Sequence, residues 1–263
     1  MKIACIQLLT DGDINLNLKK IKKLIYKAIK KKADFIATPE VSSIFSFDKA
    51  YLKKELNDFQ NDFFINEIKK IAKLKKKWIL IGSIVTKIKK KLFNRSVLIN
   101  PSGKIVSYYD KIHMFDVKLK SGEKYFESHT FSPGKKIKVA KLPWGKLGMS
   151  ICYDLRFPNM YRTMSKLGAI FLTVPSNFLN TTGKKHWHSL LKARAIENFS
   201  YVIAPAQHGL HENKVKVFGH SLIVSPDGKI LKEIKKGEGV IVAKIDINLP
   251  FKLRNQIPSL KKD

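Results

Sequence analysis

Three side chains suited to acyl-transfer chemistry stand where apolar runs end: Glu40 after ADFIATP, Lys111 after IVSYYD and Cys152 after GKLGMSI. Such runs read as buried strands. A strand end holds a side chain on a rigid frame while the loop beyond it gives access. A thiolate is a nucleophile toward a carbonyl carbon. A carboxylate can take the thiol proton and later activate water. An ammonium can stabilise the oxyanion of a tetrahedral intermediate. The residue types alone leave alternatives open. A lone buried cysteine is more often a small hydrophobe, and that is the reading for Cys5, flanked by Ala4 and Ile6. A cysteine–histidine pair could also draw on His113, His129, His186, His188, His208, His211 or His220, none of which stands in a local cysteine-protease signature.

The elements that must position these groups follow from hydrophobic period and punctuation. Residues 2–8 read as a buried strand, and Leu18, Ile21, Leu24, Ile25, Ala28 and Ile29 keep helical spacing with lysines opposite. The apolar run 33–38 stops at Pro39-Glu40, and a second helix is expected over about 52–75. Strands are expected over 78–86, 96–100 and 104–109, the last two joined by a Pro-Ser-Gly turn. Further on, strands are expected at 147–152, 170–174, 201–206, 221–224, 229–233 and 240–245, with helices at 159–167 and 186–199. Pro226-Asp227-Gly228 fits a hairpin turn. Strands alternating with helices, with added hairpins, predict an α/β layered sandwich. No linker divides the chain, so one domain is expected over 1–263, with a core to about 246 and a C-terminal extension, 247–263. Its last stretch, 250–263, is expected along the surface or against an oligomer partner.

Composition bounds the function classes. The 263 residues carry 51 basic and 21 acidic side chains, a formal charge of +30, and 44% are hydrophobic, enough for a sizeable core. Only five of the basic residues are arginine (Arg95, Arg156, Arg162, Arg194, Arg254). Base-reading surfaces lean on the arginine fork, so the dispersed lysines read as a solvated surface and no specific nucleic-acid partner is expected. No apolar run reaches the ~18 residues of a membrane helix. The start, MKIACIQLL, reads as a strand and not as a leader, so a cytoplasmic protein without a membrane partner is expected. Two cysteines build neither a disulfide scaffold nor a four-thiolate metal site. His186 and His188, two apart on a predicted helix, point to different faces, and no metal is expected.

The chain resembles the nitrilase superfamily of carbon–nitrogen hydrolases, and within it the Nit-type amidases. The likeness runs from residue 2 to about 258 through separated motifs: TPE at 38–40, FNRSVLINPSG at 93–103, YDKIHMFDV at 109–117, ESHTFSPG at 127–134 and GMSICYDLRFP at 148–158. It continues in TTGKKHWHSLLKARAIEN at 181–198, AQHGLH at 206–211 and GHSLIVSPDG at 219–228. The resemblance implies a four-layer αββα sandwich, assembled as a homodimer or larger homo-oligomer, and a Glu-Lys-Cys triad that falls on Glu40, Lys111 and Cys152. It also implies a second glutamate, Glu127, positioning the lysine and substrate, and an oxyanion contact from the backbone N–H of Tyr153. By likeness to N-carbamoyl amino-acid amidases, Arg156 and Asn177 contact the substrate carboxylate and neighbouring polar groups. A structural pairing of Arg156 with Asp154 is the other reading. No cofactor is implied.

The resemblance thus implies hydrolysis of a small carboxylate-bearing amide through a cysteine thioester, with release of ammonia. AQHGLH is nearest the deaminated-glutathione type, and ω-amidase or N-carbamoyl amino-acid amidase activity is the alternative. An inactive polyanion-binding relative is the reading from a different class. The sequence departs from close relatives where Asn159 follows Pro158, where His188 follows Trp187, and where Asn177 replaces a small residue. If Cys152 carries the covalent step, Cys152→Ala abolishes turnover and the trapped thioester while Cys5→Ala preserves both. Steady-state assays and intact-mass spectrometry of quenched enzyme check this, and a near-normal rate for Cys152→Ala would end the assignment.

Overall fold

The first strand, β1 (Lys2–Gln7), is apolar at its four inner positions, the pattern of a strand covered on both faces. In a computed structural model of the protein, Ile3 and Cys5 face a second sheet, Ala4 and Ile6 face helices, and all four are fully buried. The structure describes residues 1–120, 122–211 and 214–263. After β1 come α1 (Ile14–Lys30), β2 (Phe35–Ala37), α2 (Lys49–Glu55), α3 (Phe63–Lys75), β3 (Trp78–Ile88), β4 (Lys91–Ile99) and β5 (Ile105–Asp110). A short hairpin, β6 (Asp116–Lys118) and β7 (Lys124–Phe126), leads to β8 (Lys138–Leu142), β9 (Gly145–Met149), α4 (Pro158–Lys166), β10 (Ala169–Thr173) and α5 (Asn180–Asn198). Next are β11 (Tyr201–Ala204), a second hairpin of β12 (His208–Leu210) and β13 (Lys216–Phe218), then β14 (Ser221–Val224) and β15 (Ile230–Ile234). The chain closes with β16 (Gly239–Lys244), α6 (Leu249–Gln256) and α7 (Ser259–Lys262).

Two six-stranded sheets form, ordered β16-β1-β2-β3-β4-β5 and β8-β9-β10-β11-β14-β15. Each has the same succession of pairings in that direction: antiparallel, two parallel, then two antiparallel. Ile3, Cys5, Phe35 and Leu80 of the first sheet share one core with Leu147, Met149, Val202 and Leu222 of the second. Helices α1 and α3 cover the first sheet through Leu18, Ile21, Ile25, Phe64 and Ile68. Helices α4 and α5 cover the second through Met160, Tyr161, Met164, Trp187 and Leu191. These are the four layers of an αββα sandwich, as the resemblance implies. Among the described residues, no helix is long and apolar enough to cross a membrane.

The fold corrects several boundaries. The helix expected over 52–75 is two helices, because each has its own aspartate cap: Asp48 accepts from Ala50 and Tyr51 N–H, and Asp62 accepts from Ile65 N–H. Helix α5 starts at Asn180, ahead of the expected residue 186. Its Gly183 is a poor helix former, but a Cβ there would stand 2.5–2.8 Å from the Phe218 side chain, so the close packing of β13 requires glycine. Strand β8 and both hairpins escape the sequence reading. The stretch 250–263 is helical and docks on its own chain, where Arg254 Nη2 donates to Ala169 O (2.6 Å) and Asn198 O (3.0 Å).

The Asp62 cap sets a pH dependence. Its side chain is buried, and burial pushes the carboxyl up to about 6, outweighing the capping N–H groups. The folded chain then binds this proton more tightly than the unfolded chain, whose aspartates titrate near ~3.9. This contribution to stability is therefore fully present in acid and is lost as pH rises through about 6. Asp62→Asn keeps a capping oxygen without the charge. Melting curves from about pH 4 to pH 8 are expected to show the variant gaining on the parent as pH rises; parallel curves would mean that Asp62 is not desolvated.

Candidate active site

Glu40 sits on the loop after β2, and that loop lies across an irregular stretch of β3. Ser83 N–H donates to Pro39 O (3.1 Å), Ser42 N–H to Ser83 O (2.8 Å) and Val41 N–H to Ser83 Oγ (2.8 Å). Gly82 N–H donates to Thr38 Oγ1 at 3.0 Å. A Cβ on Gly82 would fall 1.8 Å from Thr38 O and 2.5 Å from both Pro39 O and Pro175 Cβ, so only glycine lets the two loops close here. Gln207 adds a tie, donating from Nε2 to Glu40 O at 2.8 Å.

Lys111 follows β5 directly, and its ammonium is buried between two carboxylates. Nζ donates to Glu40 Oε1 at 3.0 Å and to Glu127 Oε1 and Oε2 at 2.9 and 2.8 Å. Glu127 is fixed in turn by Phe115 N–H, which donates to Oε2 at 2.7 Å. Asn94 on β4 bridges the pair, with Nδ2 2.9 Å from Glu40 Oε1 and 3.3 Å from Glu127 Oε1. Burial pulls the Lys111 pKa down, but the Glu127 and Glu40 charges outweigh it and hold the ammonium well above its ordinary range.

Cys152 opens a 3₁₀ turn, Cys152–Arg156, just past β9. Its φ is +48°, a left-handed conformation that costs a non-glycine residue energy. Cys152 N–H donates to Pro175 O at 2.9 Å, which helps hold this turn. Buried Asp154 completes the brace: Oδ2 accepts from Ile151 N–H (2.8 Å) and Tyr109 Oη (2.7 Å), and Oδ1 lies 2.7 Å from His113 Nδ1. Asp154 thus ties the Cys152 turn to the segment carrying Lys111. Burial and the Glu40 charge push the Cys152 thiol pKa well up, against the opposing pull of Lys111. The resting group is a neutral thiol in the cavity that Glu40 also lines. Tyr153 N–H lies at the start of the turn, where helical N–H groups lack intrahelical acceptors.

Glu40, Lys111, Glu127, Cys152, Tyr153 and Asn177 all line one cavity of about 320 Å³. Its other walls are largely aromatic (Phe45, Phe47, Phe115, Tyr125, Phe131 and Phe178), and Lys124 adds a second cation. Arg156 is the exception. It stands behind the lining, its guanidinium 6.0 Å from the Tyr153 ring centroid and 5.3 Å from that of Phe178, with Nη1 3.2 Å from His186 Nδ1. The alternative pairing with Asp154 finds no place, since Asp154 is engaged by Tyr109, His113 and Ile151.

Asn177 N–H donates to Glu40 Oε2 at 2.6 Å, and its side-chain amide lies 3.0 Å from His211 Nε2. Burial lowers the His211 pKa to about 4, so the ring is neutral, and its Nδ1 proton goes to Thr10 O at 3.0 Å. Nε2 therefore accepts. That assigns the Asn177 NH₂ to the position 3.0 Å from Nε2. Sequence reasoning missed Gly82, Asn94, Lys124 and the role of His211. Asn94 and His211 do lie in the quoted motifs, FNRS and AQHGLH, which were the available signal.

Residues 2–250 match the carbon-nitrogen hydrolase family. The chain belongs to that family. This carbon-nitrogen hydrolase is 38% identical to the deaminated glutathione amidase of Dictyostelium discoideum, over 89% of this chain and 83% of the relative. It is 32% identical to the omega-amidase NIT3 of Saccharomyces cerevisiae, over all of this chain and 92% of the relative. The solved NitFhit protein of C. elegans superposes with a TM-score of 0.93 at 30% identity; this chain is covered in full and spans 64% of that one. The fold is thus that of the nitrilase superfamily, and the protein is an amide-hydrolysing enzyme. Gly82→Ala is expected to displace the Glu40 loop and to cost ~1–3 kcal/mol in stability, as overpacking does. Turnover should fall with it, measured by urea melts and kcat on one preparation; a wild-type rate would show that the loop closes without this contact.

Proposed function

We propose that the enzyme hydrolyses the amide of a small carboxylate-bearing molecule through a Cys152 thioester, with deaminated glutathione as the favoured substrate. The observation that carries this reading is the Lys111 ammonium fixed between Glu40 and Glu127 in the cavity that the Cys152 thiol also lines. Glu40 takes the Sγ proton as sulfur attacks the carbonyl carbon, and the C=O pair moves onto oxygen. Tyr153 N–H and one Lys111 N–H hold that oxyanion, Lys111 releasing one of its two contacts to Glu127. The C–N bond breaks as Glu40 returns the proton to nitrogen, and ammonia leaves. Water then attacks the thioester as Glu40 removes its proton, the acid forms, and the thiolate is reprotonated. Asn177, which lines the cavity beside Glu40, can hydrogen-bond the substrate.

The cavity's size and aromatic walls favour a small molecule with one apolar stretch. Lys124 on the wall, and Arg156 behind Tyr153 and Phe178, are the cations available to a distal carboxylate. The alternatives within this chemistry are ω-amides and N-carbamoyl amino acids. A thiol nucleophile that must remain free suits a reducing, cytoplasmic setting, and homo-oligomeric assembly belongs to the same reading.

Mass-spectrometric assay against deaminated glutathione, ω-amides and N-carbamoyl amino acids decides among substrates. The expected result is the highest kcat/KM for deaminated glutathione, and a preference for neutral amides would overturn the carboxylate assignment. Lys111→Met is expected to lower kcat by about 10² to 10³ with the fold intact; a loss confined to thermal stability would make Lys111 structural. Arg156→Lys and Lys124→Met are each expected to raise KM for carboxylate-bearing amides and spare neutral ones. Equal losses on both substrate types would assign these cations to packing.

A further inference from the structure

Away from the amide cavity, α5, the turn before β14, and β15 bring two imidazoles onto one carboxylate oxygen. His188 Nε2 lies 2.9 Å from Glu233 Oε1, and His220 Nδ1 lies 2.6 Å from the same atom. One ligand atom from each of the three residues falls within a 4.8 Å set. All three side chains are partly buried, with 16–33% exposed. Helical spacing separates His188 from His186, but it says nothing about residues 32 and 45 positions further on, which the fold delivers.

We infer that His188, His220 and Glu233 form a three-ligand site for a divalent transition metal of the zinc class, with the fourth position open to solvent. Two imidazole nitrogens and one carboxylate oxygen are borderline donors. They suit Zn²⁺, Co²⁺ or Ni²⁺ and not Mg²⁺ or Ca²⁺, which take mostly oxygen. As the structure stands, each ring donates an N–H to Glu233. A metal replaces both bonds when each ring presents a nitrogen lone pair in place of that N–H. Tetrahedral bonds of ~2.0–2.1 Å need donors a little over 3 Å apart, which asks the two imidazoles to draw back slightly from Glu233.

The surroundings hold the donors in place. Trp187, fully buried, donates from Nε1 to His220 O at 2.9 Å. The Phe218 ring stacks on His220 at 4.2 Å and meets His188 edge-on at 6.0 Å. Glu233 is paired with Leu222 across the β14–β15 ladder. The chain's +30 charge opposes any cation, but that field is screened beyond ~10 Å at ordinary salt, and Glu233 is the nearest compensating charge. The site also touches the cavity wall indirectly, because Phe218 N–H donates to Phe178 O at 2.8 Å and Phe178 lines the cavity. A bound metal would pin α5 to β15 behind that wall.

The test uses the full chain without an affinity tag and with Cys152→Ala, so that neither a tag nor the reactive thiol competes for metal. Co²⁺ titration followed by visible d–d absorption is expected to saturate at one equivalent per chain, and Zn²⁺ should displace the cobalt. Glu233→Gln and His188→Gln are each expected to weaken Co²⁺ binding about tenfold or more. Zn²⁺ at about a hundredfold excess over Kd should raise Tm by several degrees in the parent and not in the variants. Melting without metal reports whether each variant folds, and if one does not, the other carries the comparison. Absence of cobalt binding, or binding that both folded variants retain, would overturn the site. The proposed amidase chemistry is unaffected by either result.

Discussion

A buried ammonium held by two carboxylates sets the terms for the rest of the site. Desolvating three charges costs several kcal/mol per ion unless geometry and hydrogen bonds compensate. Lys111 meets that requirement with every N–H directed at Glu40 or Glu127, while Asn94, Phe115 N–H and Asn177 N–H occupy other carboxylate positions. Such an arrangement holds only if the backbone around it is stiff. The glycine contact under the Glu40 loop and the Asp154 brace under the Cys152 turn supply the stiffness, and left-handed backbone at Cys152 is tolerated within it.

The architecture explains why the groups converge. Glu40 and Asn177 follow the middle parallel strands of the two sheets, β2 and β10, and Cys152 follows the neighbouring parallel strand β9. Parallel neighbours deliver their carboxyl ends to one side, where ligands bind in open α/β sheets. With inner faces packed together and the same succession of pairings in each, the two sheets bring these ends to a common seam. Lys111 reaches it differently, from the end of the outermost strand, β5. The Tyr109–Asp154 hydrogen bond joins that edge to the opposite sheet.

Much of this was legible in the residues. Apolar runs marked the inner strands because strands covered on both faces hold few polar positions, and the polar residues ending those runs are ones the fold gathers into one cavity. The break between α2 and α3 was written in Asp62, the cap of a new helix, but apolar spacing on either side masked it. The early start of α5 was hidden because Thr-Thr-Gly opposes a helix unless Phe218, far along the chain, fills the space beside Gly183. Gly82, Asn94 and His211 could not be assigned from sequence, since each acts only through a neighbour supplied by another element. Arg156 stands beside Tyr153 and Phe178 and outside the cavity lining, a placement that its offset from Cys152 did not reveal.

The two glutamates beside Lys111 also bear on what happens after hydrolysis. In the proposed reaction they face a neutral amide at the start, while the single ammonium between two carboxylates leaves the cluster with one excess negative charge. On the proposed chemistry the product acid ionises in the same place, adding a like charge within a largely aromatic, poorly solvated cavity. Repulsion between unit charges a few ångströms apart is far larger there than in water. The product is held weakly by the groups that made it, which keeps the site clear and limits inhibition as acid accumulates, while the balance between amide and acid stays that of the solution reaction.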